Sequence, residues 1–207
     1  MNRFYTLFIL ILVTPLSSLP AQQLTVPEDT RGYIVTLSGD RLTGSIGNIT
    51  PGPYTNYILF INDFGTPYKI RAELIRGFAF RRGGEFVQFE THFEDDRCMF
   101  MKVILKGEGL CLYRSMGYGY PDPNDPTVPI TYDTRKDIVP GSYYITRGNR
   151  QAMKVKRWGF RRNMRRILRE RAPELASKIG QKGYRFRDLE KIIQEYNEEY
   201  ELTRFSL

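Results

Sequence analysis

A run of short strand-forming segments between residues 32 and 80 constrains the fold of this chain most. Its β-branched and aromatic residues come in short groups separated by Gly, Asp, Asn and Pro, which is typical of antiparallel strands joined by tight turns. Ser38-Gly39-Asp40 suits a hairpin turn, and residues 62–67 suit the next one. The segment therefore predicts a β meander that buries one face.

Strand patterns continue to residue 155. Residues 99–105 pair naturally with residues 110–113 if Leu105 faces Leu110, and residues 142–146 and 152–155 suggest a last hairpin. In that register Cys98 lies roughly 20 Å along the strand from the residue opposite Cys111, at about 3.3 Å per residue. A disulfide needs Cα atoms roughly 4.4–6.8 Å apart, so two unpaired thiols are expected.

Residues 117–141 have a different composition, with five prolines that exclude a helix or a central strand. A long Tyr- and Pro-rich loop is predicted there.

Helical periodicity begins after residue 156. The apolar residues in this part recur every three or four positions, and they are Phe160, Met164, Ile167 and Leu168, then Leu189, Ile192, Ile193, Tyr196 and Tyr200. Pro173 opens a short helix between these two stripes. We predict an α+β fold, in which an antiparallel β meander or partly open small barrel is followed by a C-terminal bundle of about three short helices. The predicted domains are a signal peptide (1–21), a β domain (22–156) and a helical segment packed on the sheet (157–207).

The first 21 residues have the pattern of a cleaved secretory signal. Arg3 gives a positive start, residues 4–13 are apolar, and a polar, Pro-containing stretch ends at Ala21. The apolar run is too short for a membrane-spanning helix, and the mature chain has no other long apolar run. The expected location is the periplasm, the periphery of the outer membrane or the extracellular space.

Several motifs of the mature chain resemble a family of uncharacterised exported proteins from bacteroidete-type Gram-negative bacteria. They are Gly32-Tyr-Ile-Val-Thr-Leu-x-Gly-Asp-x-Leu-x-Gly-x-Ile46, Ile75-Arg-Gly-Phe78, Leu110-x-Leu-Tyr113, Pro173-Glu-Leu175, Tyr184, Asp188-Leu189, Ile193 and Tyr196-Asn197. The resemblance implies a signal peptide, a β domain and a helical C-terminal segment, and it carries no established activity. The family often has Cys before Pro-Glu-Leu, where this chain has Ala172. The first hairpin is also similar to small SH3-like or Sm-like barrels.

The sequence contains no recognisable catalytic motif. Its single histidine, His92, cannot form a His cluster for zinc, and its setting among Glu and Asp residues suggests an exposed loop. No serine lies in a Gly-x-Ser-x-Gly turn, and no phosphate-binding loop is present. We therefore predict no catalytic, cofactor-binding or metal-binding residues.

Residues 154–171 concentrate the positive charge of the chain. They contain nine cations and one carboxylate, a net charge of +8, which equals the formal charge of the whole sequence. The residues predicted to contact an anionic surface are Lys154, Lys156, Arg157, Arg161, Arg162, Arg165, Arg166 and Arg169. Such a patch attracts anionic partners and weakens with salt. The alternative is a solvated helix face whose arginine stems cover the sheet.

Two functional classes remain open. The first is a noncatalytic exported binding or envelope-associated module that contacts anionic lipid, lipopolysaccharide or acidic glycan, with nucleic acid ranked lower for an exported protein. The second is an enzyme with a site in the Tyr/Pro-rich loop near Tyr118, Tyr120 and Asp122.

The signal-peptide pattern makes a direct prediction. We expect the native protein to begin at Gln22, because Ala21 ends the polar stretch that follows the apolar run. Mass spectrometry of the protein isolated from its own cells measures this, and a native protein that retains residues 1–21 would contradict it.

Overall fold

The computed structural model of the protein describes residues 30–52, 54–116, 140–147 and 151–205. Within these ranges the chain forms an α+β fold, with one open antiparallel sheet of ten strands followed by three α helices, as the sequence predicts. The signal-peptide segment and residues 117–139 of the predicted loop lie outside the described residues.

The elements follow one another in the order strands first, helices last. The strands are β1 Arg31–Thr36, β2 Arg41–Thr50, β3 Tyr57–Asn62, β4 Pro67–Arg71, β5 Ile75–Arg82, β6 Glu85–Glu94, β7 Arg97–Leu105, β8 Cys111–Met116, β9 Pro140–Thr146 and β10 Met153–Val155. The helices are α1 Phe160–Leu168, α2 Pro173–Lys178 and α3 Leu189–Phe205. Short 3-10 helices cover Ala72–Leu74 and Phe186–Asp188.

The sheet consists of two meanders joined side by side. Its strand order is β10-β9-β8-β7-β6-β5-β1-β2-β3-β4, so β5 pairs with β1 and not with β4, the strand before it. Ile34 of β1 lies opposite Phe78 of β5, and Phe78 lies opposite Phe89 of β6. Residues directly opposite each other share a face, so these three side chains form one apolar row across the junction.

The first meander curls towards β7. The Cys98 N–H donates to the carbonyl of Tyr54 at 2.9 Å, and the Asn56 N–H donates to the carbonyl of Cys98 at 3.3 Å. The Ala72 N–H in turn donates to the Asn56 carbonyl at 2.9 Å. The curl encloses an apolar group that we call the strand cluster, whose largest members are Phe78, Phe80, Phe89, Phe100, Ile46, Ile49 and Ile58. The rings of Phe78 and Phe89 stack 4.9 Å apart, and Phe100 meets Phe78 edge-on at the same centroid distance.

The three helices cover the part of the same face that the curl leaves open. Their buried side chains pack on β8 to β10 in a second group, the helix cluster, which includes Leu110, Leu112, Ile145, Phe160, Met164, Leu168, Leu175, Ile192, Ile193 and Tyr196. Leu112 belongs to the helix cluster and Met116 to the strand cluster, although both lie on one face of β8. The two clusters therefore lie on one face of the sheet, where Arg114 of β8 and Lys102, opposite it on β7, separate them.

A buried amide fixes α3 to the turn between β7 and β8. The Asn197 side chain accepts a hydrogen bond from the Leu110 N–H at 2.9 Å and donates one to the Leu110 carbonyl at 2.9 Å. Gly107 lies against this amide so closely that a Cβ at that position would overlap the Asn197 side chain. The turn and the helix thus approach each other closely at Gly107 and Asn197.

This contact also explains a wrong register prediction. Leu105 lies opposite Leu112, not Leu110, and the ladder is irregular between Val103 and Leu105. Leu110 cannot join the ladder because Asn197 already binds its backbone N–H and C=O. The predicted loop also ends earlier than expected, since β9 begins at Pro140. Among the described residues, neither Cys98 nor Cys111 forms a disulfide.

The Asn197 contact generates a stability prediction. Asn197→Ala leaves a buried N–H and a buried C=O without their partner, which costs roughly 1–3 kcal/mol for each unsatisfied group. We expect the free energy of unfolding in urea to fall by about 2–4 kcal/mol on this scale. The exposed Gln194→Ala, on the same helix, is the control, and equal stability of the two variants would contradict the assignment.

Candidate functional site

Helix α1 has one buried face and one cationic face. Phe160, Met164 and Leu168 are buried in the helix cluster. At about 100° per residue the arginines occupy an arc of roughly 140° on the opposite side. The members of this arc are Arg161, Arg162, Arg165, Arg166 and Arg169. We call it the arginine face.

The arginine face borders an open groove. The cavity has a volume of about 590 Å³, and its described lining consists of Gly159 and the five arginines of the arc. Gly159 adopts a left-handed conformation with φ 75° and caps the start of α1. This conformation favours glycine and turns the chain sharply into the helix. The side chain of Arg161 lies beside Gly180, in the loop after α2.

The arginine face has little internal compensation. Arg165 is half-buried, and its Nη2 donates to the Ser177 carbonyl at 3.2 Å. Within residues 30–52, 54–116, 140–147 and 151–205, none of the other four arginines lies within 4.0 Å of a carboxylate. Glu170, the one acid of the segment, lies 3.8 Å from Arg147 of the neighbouring turn.

The other predicted contact residues lie outside the groove lining. Lys154 belongs to β10, where its Nζ is 3.8 Å from a carboxylate oxygen of Glu94 and 5.8 Å from the centre of the Tyr144 ring. Lys156 and Arg157 are exposed in the connection from β10 to α1. The structure thus brings together five of the eight residues that the sequence singles out.

A second concave site lies where β5 and β6 meet, on the face of the sheet opposite the strand cluster. It is a cleft of about 500 Å³ with Gly77 and Ala79 among its lining residues. Glu90 is its only described carboxylate, and four donors surround it. The Tyr113 hydroxyl donates to Oε2 at 2.8 Å, and His92 Nε2 lies 3.6 Å from the same oxygen. Lys106 Nζ lies 2.6 Å from Oε1, and the Gln88 amide donates to Oε1 at 3.1 Å.

This network does not favour acid or base chemistry near neutral pH. Burial alone would raise the pKa of Glu90, but its interactions with His92, Lys106 and Tyr113 outweigh burial and lower the pKa to about 2. Burial, followed by the charge of Glu90, raises the pKa of Tyr113 well above its ordinary value. A general base works best with a pKa near the operating pH, and both groups are far from it. The network therefore acts as a charged brace between β6, the β7–β8 turn and β8.

The prediction of an exposed loop around His92 is wrong. His92 lies in β6 and is 4% exposed, with its ring centre 4.2 Å from that of Tyr113. The strand extends from Glu85 to Glu94 and includes His92. Asp95 and Asp96 form the turn that follows. The residues around His92 suggested a loop because they are polar. Their buried groups find partners in β8 and in the β7–β8 turn, which the local sequence does not reveal.

The remaining expectations concern the Tyr/Pro-rich loop, metal ligands and membrane-spanning segments. Tyr118, Tyr120 and Asp122 lie outside them. Among the residues that are described, no group of three or more His, Cys, Asp or Glu side chains could hold a metal ion. No helix in the same part of the chain combines the length and apolar character needed to cross a membrane.

Comparison of the chain with protein-family models, with curated proteins and with solved structures finds no match.

The Glu90 network predicts a pH dependence of stability. The folded-state pKa of about 2 lies below the ordinary value of 4.5, so the carboxylate stabilises the fold above about pH 4.5 and this contribution is lost as the pH falls towards 2. Because the side chain is 21% exposed, solvent screening reduces the gain, and we expect Glu90→Gln to lose about 1–2 kcal/mol at neutral pH.

Urea unfolding near pH 6 and near pH 3 measures this contribution. The difference between the parent protein and Glu90→Gln should shrink at the lower pH. Glu85→Gln, an exposed carboxylate on the same strand, is the control and should follow the parent at both pH values. A Glu90→Gln deficit that stays constant with pH would contradict the role of its charge.

Proposed function

We propose that this protein is an exported, noncatalytic binding module that attaches to anionic components of the cell envelope through the arginine face. The observation that carries this function is the convergence of five arginines on one open groove, four of them with no carboxylate within 4.0 Å among the described residues. The candidate partners are anionic lipid, lipopolysaccharide and acidic glycan. The signal-peptide pattern and the resemblance to exported proteins support this choice of partners.

The arginine face does not stabilise the first turn of α1. Arg161 and Arg162 lie in the first turn, where the positive end of the helix dipole disfavours cations, and the first turn contains no acidic residue. Like charges three or four residues apart destabilise a helix by roughly 0.2–0.5 kcal/mol for each pair. The pairs at these spacings are Arg161–Arg165, Arg162–Arg165, Arg162–Arg166, Arg165–Arg169 and Arg166–Arg169. A solvent-exposed helix face whose only role was to stabilise the fold would carry acidic as well as basic side chains.

The same arrangement suits an anionic surface. A cation near an anionic membrane contributes about 1 kcal/mol at low salt, so five of them supply several kcal/mol. Guanidinium groups also present paired N–H donors that match phosphate and carboxylate oxygens. Because the groove is open, a surface group reaches the arginines without a rearrangement of the helix.

Charge reversal within the arginine face tests the proposal. Arg162, Arg166 and Arg169 are exposed, so Arg162→Glu, Arg166→Glu and Arg169→Glu together should leave the fold intact. The mature parent protein should sediment with phosphatidylglycerol-containing vesicles or lipopolysaccharide at low ionic strength and be released by added salt. The triple variant should lose this binding, by at least tenfold in affinity if each contact is worth about 1 kcal/mol.

A matched variant separates the position of the charges from their number. Arg41→Glu, Lys69→Glu and Arg81→Glu change three exposed cations of the first five strands, away from α1. Both triple variants lower the formal charge of the sequence from +8 to +2, since each reversal removes two units. Equal binding by the two variants, or no binding by the parent at low salt, would refute attachment through the arginine face.

A further inference from the structure

An exposed tryptophan precedes the arginine face. Trp158 is the single tryptophan of the sequence, and it is 85% exposed to solvent. It follows the exposed cations Lys156 and Arg157 and precedes Gly159, which lines the groove. A large aromatic side chain is normally buried in a core or an interface, because it removes a large apolar area from water.

The backbone keeps Trp158 away from the helix cluster. The left-handed Gly159 turns the chain immediately before Phe160, and Phe160 is the first residue of α1 to enter the cluster. The aromatic ring is therefore exposed in the same connection as Lys156 and Arg157, while Phe160 anchors the helix to the sheet. Burial of the ring needs a partner or surface beyond the described part of the chain.

Tryptophan flanked by basic residues is the composition that proteins place at a membrane–water interface. The indole sits at the level of the lipid headgroups, and the long cationic side chains reach the phosphates around it. A soluble polyanion provides the charge but no apolar layer for the ring. Trp158 therefore favours an anionic lipid surface over a soluble polyanion. The arginine face alone does not distinguish these two partners.

We infer that the partner of the arginine face is the surface of an anionic lipid bilayer, into whose interfacial layer Trp158 inserts. This inference rests on the proposed function and narrows its partner to a lipid surface. The arginines supply the electrostatic attraction, and the indole supplies a contact that salt does not screen. Binding should accordingly retain a salt-resistant component that depends on Trp158.

The protein carries its own probe for this insertion. Because Trp158 is the only tryptophan, its fluorescence reports on this position alone. On addition of phosphatidylglycerol–phosphatidylcholine vesicles at low salt, the emission of the mature protein should move to shorter wavelength. Lipids brominated on their acyl chains should quench it. Inorganic polyphosphate should bind without either effect, since it has no apolar layer.

Two substitutions test the role of the ring in binding. Trp158→Ala should weaken sedimentation with the same vesicles roughly tenfold, the order expected for loss of one buried aromatic contact. Its binding to polyphosphate should be unchanged. Phe64→Ala is the control, because Phe64 is 93% exposed in the β3–β4 turn next to Asp63, away from the basic segment. Far-ultraviolet circular dichroism confirms that both variants are folded.

The results of these experiments distinguish the insertion of Trp158 from attachment through the arginine face. Sedimentation with vesicles but no change in emission and no quenching would overturn the insertion of Trp158 and leave attachment through the arginine face standing. Unchanged vesicle affinity of Trp158→Ala would have the same meaning. Failure of the parent to bind vesicles, lipopolysaccharide or polyphosphate at low salt would overturn both.

Discussion

The strand cluster and the helix cluster lie on one face of the ten-stranded sheet, and the cover of this face determines where the first meander and the helices lie. Leu112 and Met116 lie on the same face of β8 but belong to different clusters, so the strand cluster and the helix cluster share one surface. The curl of the first meander encloses one part of it, where Cys98 binds the backbone of residues 54 and 56. The other part, from β8 to β10, has to be covered by helices, because an exposed apolar surface of this extent is costly in water.

The attachment of the helices follows from this requirement. Asn197 hydrogen-bonds both backbone groups of Leu110 and so fixes the position of α3 along the sheet. Helix α1 has nine residues, which is too short for stability on its own, and it persists because Phe160, Met164 and Leu168 are buried. Once these three side chains face the sheet, the helical repeat directs the arginines outwards. The cationic groove is thus a geometric consequence of how the sheet is covered.

Local patterns predicted the elements, whereas contacts distant in sequence determined what was missed. The hairpin turn at Ser38-Gly39-Asp40, the helix start at Pro173 and the α3 stripe could be found because turn chemistry and periodicity are local. The pairing of β5 with β1, the register of β7 with β8 and the burial of His92 depend on partners supplied by other elements. The common face of the five arginines could be predicted from the sequence, because all five follow the period of a single helix. The position of Lys154 away from this face could not be predicted, because it depends on contacts with Glu94 and Tyr144 of other strands.

The two charged regions of this protein differ in how their charge is balanced. Glu90 is partly buried, and four donors from its own chain surround it. The arginine face has no equivalent, and the reason lies in the sequence, because Glu170 is the one acid between residues 154 and 171. A change of rotamer moves these guanidinium groups but brings no carboxylate onto α1. Among the described residues, the charge of this face is therefore balanced by ions from solution or by an anionic partner, and a partner that presents many anions together displaces those ions most effectively.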